Sequence, residues 1–357
     1  MTSHTLLQAS ANAAQEMPFE DFIRKIPKAE LHMHLEGSIE PEMMLALAAR
    51  NNIALRWRDA QALRNAYTFV NLEDFLALYF ECCKVLVTEQ DFHDITKGYL
   101  QRCATDNVIH AEMFIGPQTF LQQGVDIDTL MRGVLSAMRD AQRESGVHSG
   151  LIISVHRHRS EADALAVLDC IEPWRDQVAG IGMGGPEVGN PPSRFARFFA
   201  ECRRRGYMTT VHAGEEGPAE YVRQSIELLR PDRIDHGVSA IHDPDLMRLL
   251  RERNIPLTLC PLSNVRLNVV ASMADHPLRR MLDEGLFVTV NSDNPPYFGG
   301  YVNENLIAAQ QGLQLDVEAI VQLAKNSLQA LFIRDSTKSR YLQKLSQFVA
   351  LRNVAPS

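Results

Sequence analysis

Eight short runs of almost uninterrupted apolar residues, separated by helical patterns, limit the architecture of this chain more than any other feature. They are Ala29 to Leu35, Val108 to Ile115, Gly150 to Val155, Val178 to Met183, Met208 to His212, Arg233 to Asp235, Leu257 to Cys260 and Phe287 to Asn291. Strands of this kind are parallel and covered on both faces, whereas half-solvated antiparallel strands alternate apolar and polar residues. Between them lie patterns of helical period, among them Ser160 to Ile171, Ser193 to Arg205, Pro218 to Leu229, Asp243 to Arg253 and Pro277 to Glu284. Eight strand-helix units in 357 residues close most simply into a single (β/α)8 TIM barrel, an α/β fold. An open doubly wound sheet is the alternative. Its glycine-rich dinucleotide turn is missing after the first strand, where His34-Leu35-Glu36-Gly37-Ser38 stands.

The interval between the first two strands holds helical patterns at Pro41 to Asn51, Asn71 to Val87 and Glu89 to Ala104, far more than one crossover needs. These predict extra helices over the mouth of the barrel, forming a lid. Pro18 to Ile26 reads as a short amphipathic helix before the first strand, and Asp316 to Phe332 and Thr337 to Leu351 as closing helices. Residues 1–17 read as a polar N-terminal tail, without the basic start and apolar run of a secretory signal. No Pro/Gly/Ser-rich linker divides residues 18–357, which therefore read as one domain.

A hydrophobic fraction of 45% supports a large core, and a net charge of -8 offers no basic stripe for a phosphate backbone or an anionic membrane. The composition therefore points away from nucleic-acid and membrane partners and toward a small molecule. No stretch reaches the apolar length that spans a bilayer. The six cysteines, Cys82, Cys83, Cys103, Cys170, Cys202 and Cys260, show no C-x-x-C spacing. They read as buried free thiols in a reducing cytoplasm. Nothing in the pattern specifies an oligomeric state.

In a barrel the C-terminal ends of the strands converge on one site, so what each strand ends with carries the functional information. The first ends in His32 and His34, two positions of one face because side chains alternate with period two. The fifth ends in His212-Ala213-Gly214-Glu215-Glu216, the sixth in Asp235-His236-Gly237 and the eighth in Ser292-Asp293-Asn294-Pro295. Three imidazoles and one carboxylate, His32, His34, His212 and Asp293, suit one divalent ion of the zinc type with a position left for water; Fe2+ and Mn2+ fit the same donors. Such an ion acidifies its water, and Glu215 and His236 remain as proton-transfer groups. Two histidines can share a solvated strand face, Asp235 can cap a strand end, and Glu216 can be a solvated neighbour. His156 and His158, beside Arg157 and Arg159, suggest a polar pocket wall or substrate contact more than a second metal. His110 and His148 read as ordinary strand histidines, and His4, His93, His242 and His276 as surface or cap positions.

The ordered set His-x-His-x-x-Gly, His-Ala-Gly-Glu, Asp-His-Gly and Ser-Asp-x-Pro resembles the adenosine/adenine deaminase family of the amidohydrolase superfamily, over about Pro18 to Phe332. The resemblance implies a zinc barrel with the metal on His32, His34, His212 and Asp293, with Glu215 protonating N1 of a purine and His236 deprotonating water. Glu36, Glu187-Val188-Gly189-Asn190-Pro191-Pro192, Cys260-Pro261-Leu262-Ser263-Asn264 and Tyr297-Phe298-Gly299-Gly300-Tyr301 are similar to the adenine subgroup. That implies deamination of adenine, with Asn294 at N7 and Gly185 and Glu187 also at the substrate. Four positions depart from the family pattern. Asn294 stands for an aspartate, Gly184 and Gly185 for an aspartate and a serine, and Gly116 for an aspartate before Pro-Gln. Their lost side chains raise the alternative of a roomier pocket for N6-substituted adenines such as N6-methyl- or isopentenyladenine. Adenosine deamination and a binuclear amidohydrolase are further alternatives; the second expects a lysine at the end of strand four, and 178–190 has none.

Overall fold

The computed structural model describes residues Met17 to Leu351; the expected tail before Met17, and His4 within it, lie outside the described residues. Eight parallel strands follow one another round the sheet in chain order. They are β1 (Lys28–His34), β2 (Val108–Ile115), β3 (His148–His156), β4 (Gly180–Gly184), β5 (Met208–Ala213), β6 (Arg233–His236), β7 (Leu257–Leu259) and β8 (Val288–Val290). All but the first residue of β5, the first three residues of β3 and the last residues of β1 and β3 are buried, as expected of parallel strands roofed by helices.

The ring closes between β8 and β1 by one bridge, Met33 with Asp293. The His34 N–H donates to the Asp293 carbonyl at 2.9 Å, and the Asp293 N–H to the His32 carbonyl at 2.9 Å. Closing the barrel therefore wedges Asp293 between the two histidines of β1. Glu30 reinforces the seam, accepting from the Ser292 N–H at 3.0 Å and the Ser292 hydroxyl at 3.1 Å.

A buried ion pair fills the opposite end of the barrel. Arg233 and Glu112 meet at 2.7 Å, both fully buried. The guanidinium also covers the Phe332 ring at 4.2 Å and donates to the Leu31 carbonyl. Removing one partner leaves an uncompensated interior charge. Glu112→Ala is expected to cost about 3–5 kcal/mol, read as a shift of the urea midpoint. A cost under about 1 kcal/mol would contradict this reading of the pair.

Helix Leu72–Cys82 lines one side of the cavity at the strand ends. Asn71 caps it by accepting from the Asp74 N–H at 2.9 Å, and Glu73 and Asp74 complement its positive end. Its face Leu72, Phe75, Tyr79 recurs at i, i+3, i+7, and Phe75 packs on Phe298 at 4.7 Å and on Tyr297 at 5.5 Å. The helix expected through Val87 stops at Cys82 and gives way to a 3-10 turn, Cys83–Val85. The sequence reading assigns no helix between β2 and β3, where the structure has Ile127–Ser145, capped by Asp126 and ended by left-handed Gly146. Two further expectations are corrected. Cys170 is exposed while the other five cysteines are buried and free, and His276 is buried, bonded to Asn264 Oδ1 and accepting the Leu278 N–H. Among the described residues no helix is long and apolar enough to cross a membrane.

Candidate active site

The strand ends bring His32, His34, His212 and Asp293 together. His32 Nε2 and His34 Nε2 each lie 3.1 Å from His212 Nε2, and Asp293 Oδ1 lies 3.7 Å from the first and 3.4 Å from the second. Four donors around a tetrahedral ion at ~2.0–2.1 Å sit about 3.3–3.4 Å apart, so the donor set fits such an ion.

Protons on the far ring nitrogens make the same point. His32 Nδ1 donates to Thr258, at 3.2 Å to its carbonyl and 2.9 Å to its hydroxyl, and His212 Nδ1 lies 3.1 Å from Asp235 Oδ2. With the proton on Nδ1, each Nε2 turns a lone pair toward the others. Burial keeps the rings neutral, pushing His34 down to about 3 and His32 well below its usual range. Burial also pushes Asp293 up to about 6. Lone pairs facing one another at 3.1 Å and a buried carboxyl that resists ionising are what a divalent cation would stabilise.

Two residues break strand alternation to reach this cluster. His236 and Asp293 have φ of 64° and 62°, left-handed values that cost non-glycine residues energy and concentrate at functional sites. At the end of β6 this lets neighbouring residues both face inward. Asp235 accepts from the Thr210 and Thr258 hydroxyls at 2.7 Å and 3.0 Å, while His236 Nε2 lies 3.5 Å from Glu215 Oε2. Burial opposes the charge of Asp235, but His212, Arg233 and Thr210 hold it below the usual carboxylate range. Asp235, left as a possible cap by sequence, is thus the residue that orients His212. Asp235→Asn is expected to weaken metal binding about 10–100-fold, measured against a chromophoric chelator; unchanged affinity would remove that role.

Cys260 and His236 also lie within reach of Asp293. Burial holds the Cys260 thiol far above its usual range, and its S–H points to the Thr258 carbonyl at 3.7 Å. In this structure it serves as a thiol donor.

Glu215 is buried and in the cavity wall. Burial and the neighbouring carboxylates of Asp293, Glu187 and Glu216 push it well above the carboxylate range, which favours its protonated form. Burial and His212 push His236 well below the imidazole range, which favours its neutral form. Asn294 and Gly185 line the same cavity. The Asn294 amide donates to Asp293 Oδ1 at 2.7 Å, leaving its own oxygen buried and without a partner. Gly37 makes room for it, since a Cβ there would fall 1.8 Å from Asn294 Oδ1.

Glu187, expected at the substrate, is placed elsewhere. Its carboxylate accepts the N–H groups of Gly214 at 2.6 Å, Glu215 at 3.0 Å and Gly217 at 2.8 Å, and it does not line the cavity. It braces the loop that carries Glu215. Glu216 turns back to accept the Glu187 N–H at 3.2 Å, and Arg157 sits behind β5, donating to the His212 carbonyl. Leu72, Phe75, Leu76, Tyr79 and Phe80 of helix Leu72–Cys82 form the apolar side.

A closed parallel barrel that gathers three imidazoles and a carboxylate at its C-terminal rim, beside a further buried carboxyl and imidazole, defines a barrel enzyme whose His/Asp cluster could hold a metal ion. The chain belongs to the adenosine deaminase family, whose model matches residues 27–348. It is 58% identical to an adenine deaminase of Rhodopseudomonas palustris (strain BisB18) over 336 residues, 94% of this chain and 98% of that one. The crystal structure of an adenine deaminase from Arthrobacter aurescens superposes with a TM-score of 0.89 at 43% identity, covering 91% of this chain and 99% of that chain. An amidohydrolase from Burkholderia ambifaria with bound Zn superposes with a TM-score of 0.85 at 27% identity, covering 95% and 96%.

Proposed function

We propose that the chain is a hydrolytic adenine deaminase, turning adenine and water into hypoxanthine and ammonia. His32, His34, His212 and Asp293 would hold one divalent ion, zinc first among the candidates. The observation that carries the reading is the approach of His32, His34, His212 and Asp293 to one another where His34, His212, Asp293, Glu215 and His236 line one cavity. When bound, an ion of this kind brings the acidity of a coordinated water toward neutrality.

The remaining work falls to side chains. Attack at C6 needs the ring to accept electron density, and a proton handed from Glu215 to N1 supplies the sink. Neutral His236 takes the proton that water gives up. Asn294 meets the N7 side of the ring through its amide N–H, since N7 is an acceptor. The aromatic face of helix Leu72–Cys82 excludes bulk water, which keeps Glu215 protonated and strengthens each polar contact inside.

One observation favours a second reading. A Cβ at Gly184 would meet the His212 ring at an ordinary 3.5 Å, so the bare wall beside the donor cluster leaves space that an N6-alkyl group could use. A binuclear centre gains no support from β4, whose residues Gly180–Gly184 include neither lysine nor carboxylate. The same proposal places the protein in the cytoplasm, acting on a free base. Turnover of adenine, N6-methyladenine, isopentenyladenine and adenosine by the zinc-loaded protein tests it. Adenine is expected to be fastest; inert adenine would overturn the reading.

A further inference from the structure

His156, at the end of β3, is used by none of the chemistry above, yet it lines the cavity. It is held on every side. Its Nε2 lies 2.8 Å from the Thr119 hydroxyl, its backbone N–H donates to Gln118 Oε1 at 2.6 Å, its ring stacks on His158 at 5.3 Å, and Phe80 meets it edge-on at 5.5 Å. Gly116 is what permits this. A Cβ at Gly116 would fall 2.9 Å from His156 Cε1 and 3.3 Å from Nε2, so the imidazole occupies the space that a side chain at 116 would need. The space that looks vacated at that position is filled from the neighbouring strand. A carboxylate has in effect been exchanged for an imidazole, which burial, with His158 and Arg159, holds neutral by pushing it down to about 3.

The order of the strands says which part of a base this ring would meet, given the purine reading above. With C6 at the donor cluster from β1, β5 and β8, N1 turns toward Glu215 after β5 and N7 toward Asn294 after β8. The opposite edge of the bicycle, N3 and N9, then faces the ends of β2, β3 and β4. That wall consists of Gly116, Ser154, His156 and Gly185. Two of the four have no side chain. His156 is the member with a ring nitrogen, and its four contacts leave it no place to step aside for a substituent on N9.

We infer that His156 is the specificity-determining residue that reads the N3–N9 edge, selecting a base with N9 unsubstituted over its N9-substituted counterpart. With Nε2 engaged by Thr119, the neutral ring has Nδ1 to offer, which accepts from N9–H in one tautomer and donates to N3 in the other. A site built around such a pairing discriminates strongly against a ligand that cannot make it.

The test uses the metal-loaded enzyme, with adenine and 9-methyladenine as the two substrates, in wild type, His156→Ala, His156→Asn and Thr119→Val. His156→Ala is expected to lower kcat/KM for adenine by about 10-fold or more, chiefly through KM. The preference for adenine over 9-methyladenine is expected to collapse by at least about 10-fold. His156→Asn should recover part of the adenine activity, and Thr119→Val, which frees the ring without removing it, should shift the preference in the same direction by less. An unchanged preference in His156→Ala, or in Thr119→Val should the first variant not fold, overturns the inference while leaving adenine deamination standing. A wild-type enzyme that releases no ammonia from adenine overturns the purine reading and this inference with it.

Discussion

Glu215→Gln is expected to lower kcat for adenine by about 10²–10⁴-fold while metal content stays at the wild-type level. Glutamine keeps the shape and the hydrogen-bonding reach of the side chain but cannot deliver a proton to N1. The metal stays because Glu215 is not among the four donors; its nearest partner in the site is His236 Nε2 at 3.5 Å. The pH profile adds a second readout. Glu215 acts as an acid whose pKa burial and nearby carboxylates raise, so activity is present below that raised pKa and falls as pH climbs through it. The alkaline limb assigned to Glu215 should therefore vanish from the residual activity of the variant. Full activity, or loss of metal together with activity, would remove Glu215 from the acid role.

His212→Ala is expected to lose both metal and turnover, with metal content below about one-tenth and kcat down by more than about 10⁴-fold, because the means of acidifying water near pH 7 goes with the ion. His212 is the decisive ligand to remove, since its Nε2 is the atom that both histidines of β1 approach at 3.1 Å. Chelation of the wild type should reproduce the loss, and one equivalent of Zn2+ should restore it. The variant has a structural cost that must be separated from the chemical one, because Asp235 loses its imidazole partner at 3.1 Å. Near-UV circular dichroism separates them. A variant with native tertiary signal, full metal and full turnover would contradict the ligand assignment.

The barrel and the residues that meet at its rim were legible because both follow from local pattern. Apolar runs fix the strands, and polar residues where those runs stop must gather at one end. What depended on contacts across the barrel was not legible. Asp235 looks like a cap until the orientation of the His212 ring is known. Glu187 looks like a substrate contact until the loop Gly214–Gly217 is seen folding its N–H groups onto the carboxylate. The apparent vacancy at Gly116 is filled by His156, an exchange between adjacent strands that no window along the chain contains. Helix Ile127–Ser145 carried readable signals, Asp126 before it and Gly146 after it, on a stretch whose many charges disguise the apolar stripe. His276 was misplaced because a polar residue between loops reads as exposed unless its partners, Asn264 and the Leu278 N–H, are known.

Zinc K-edge absorption on protein loaded with one equivalent of Zn2+ tests the central claim most directly. The expected spectrum has a first shell of nitrogen and oxygen at about 2.0–2.1 Å with outer-shell scattering from three imidazoles. A sulfur shell at about 2.3 Å would put Cys260 in place of a histidine or Asp293, and a second metal at about 3.5–4 Å would make the centre binuclear. Either result would contradict the account.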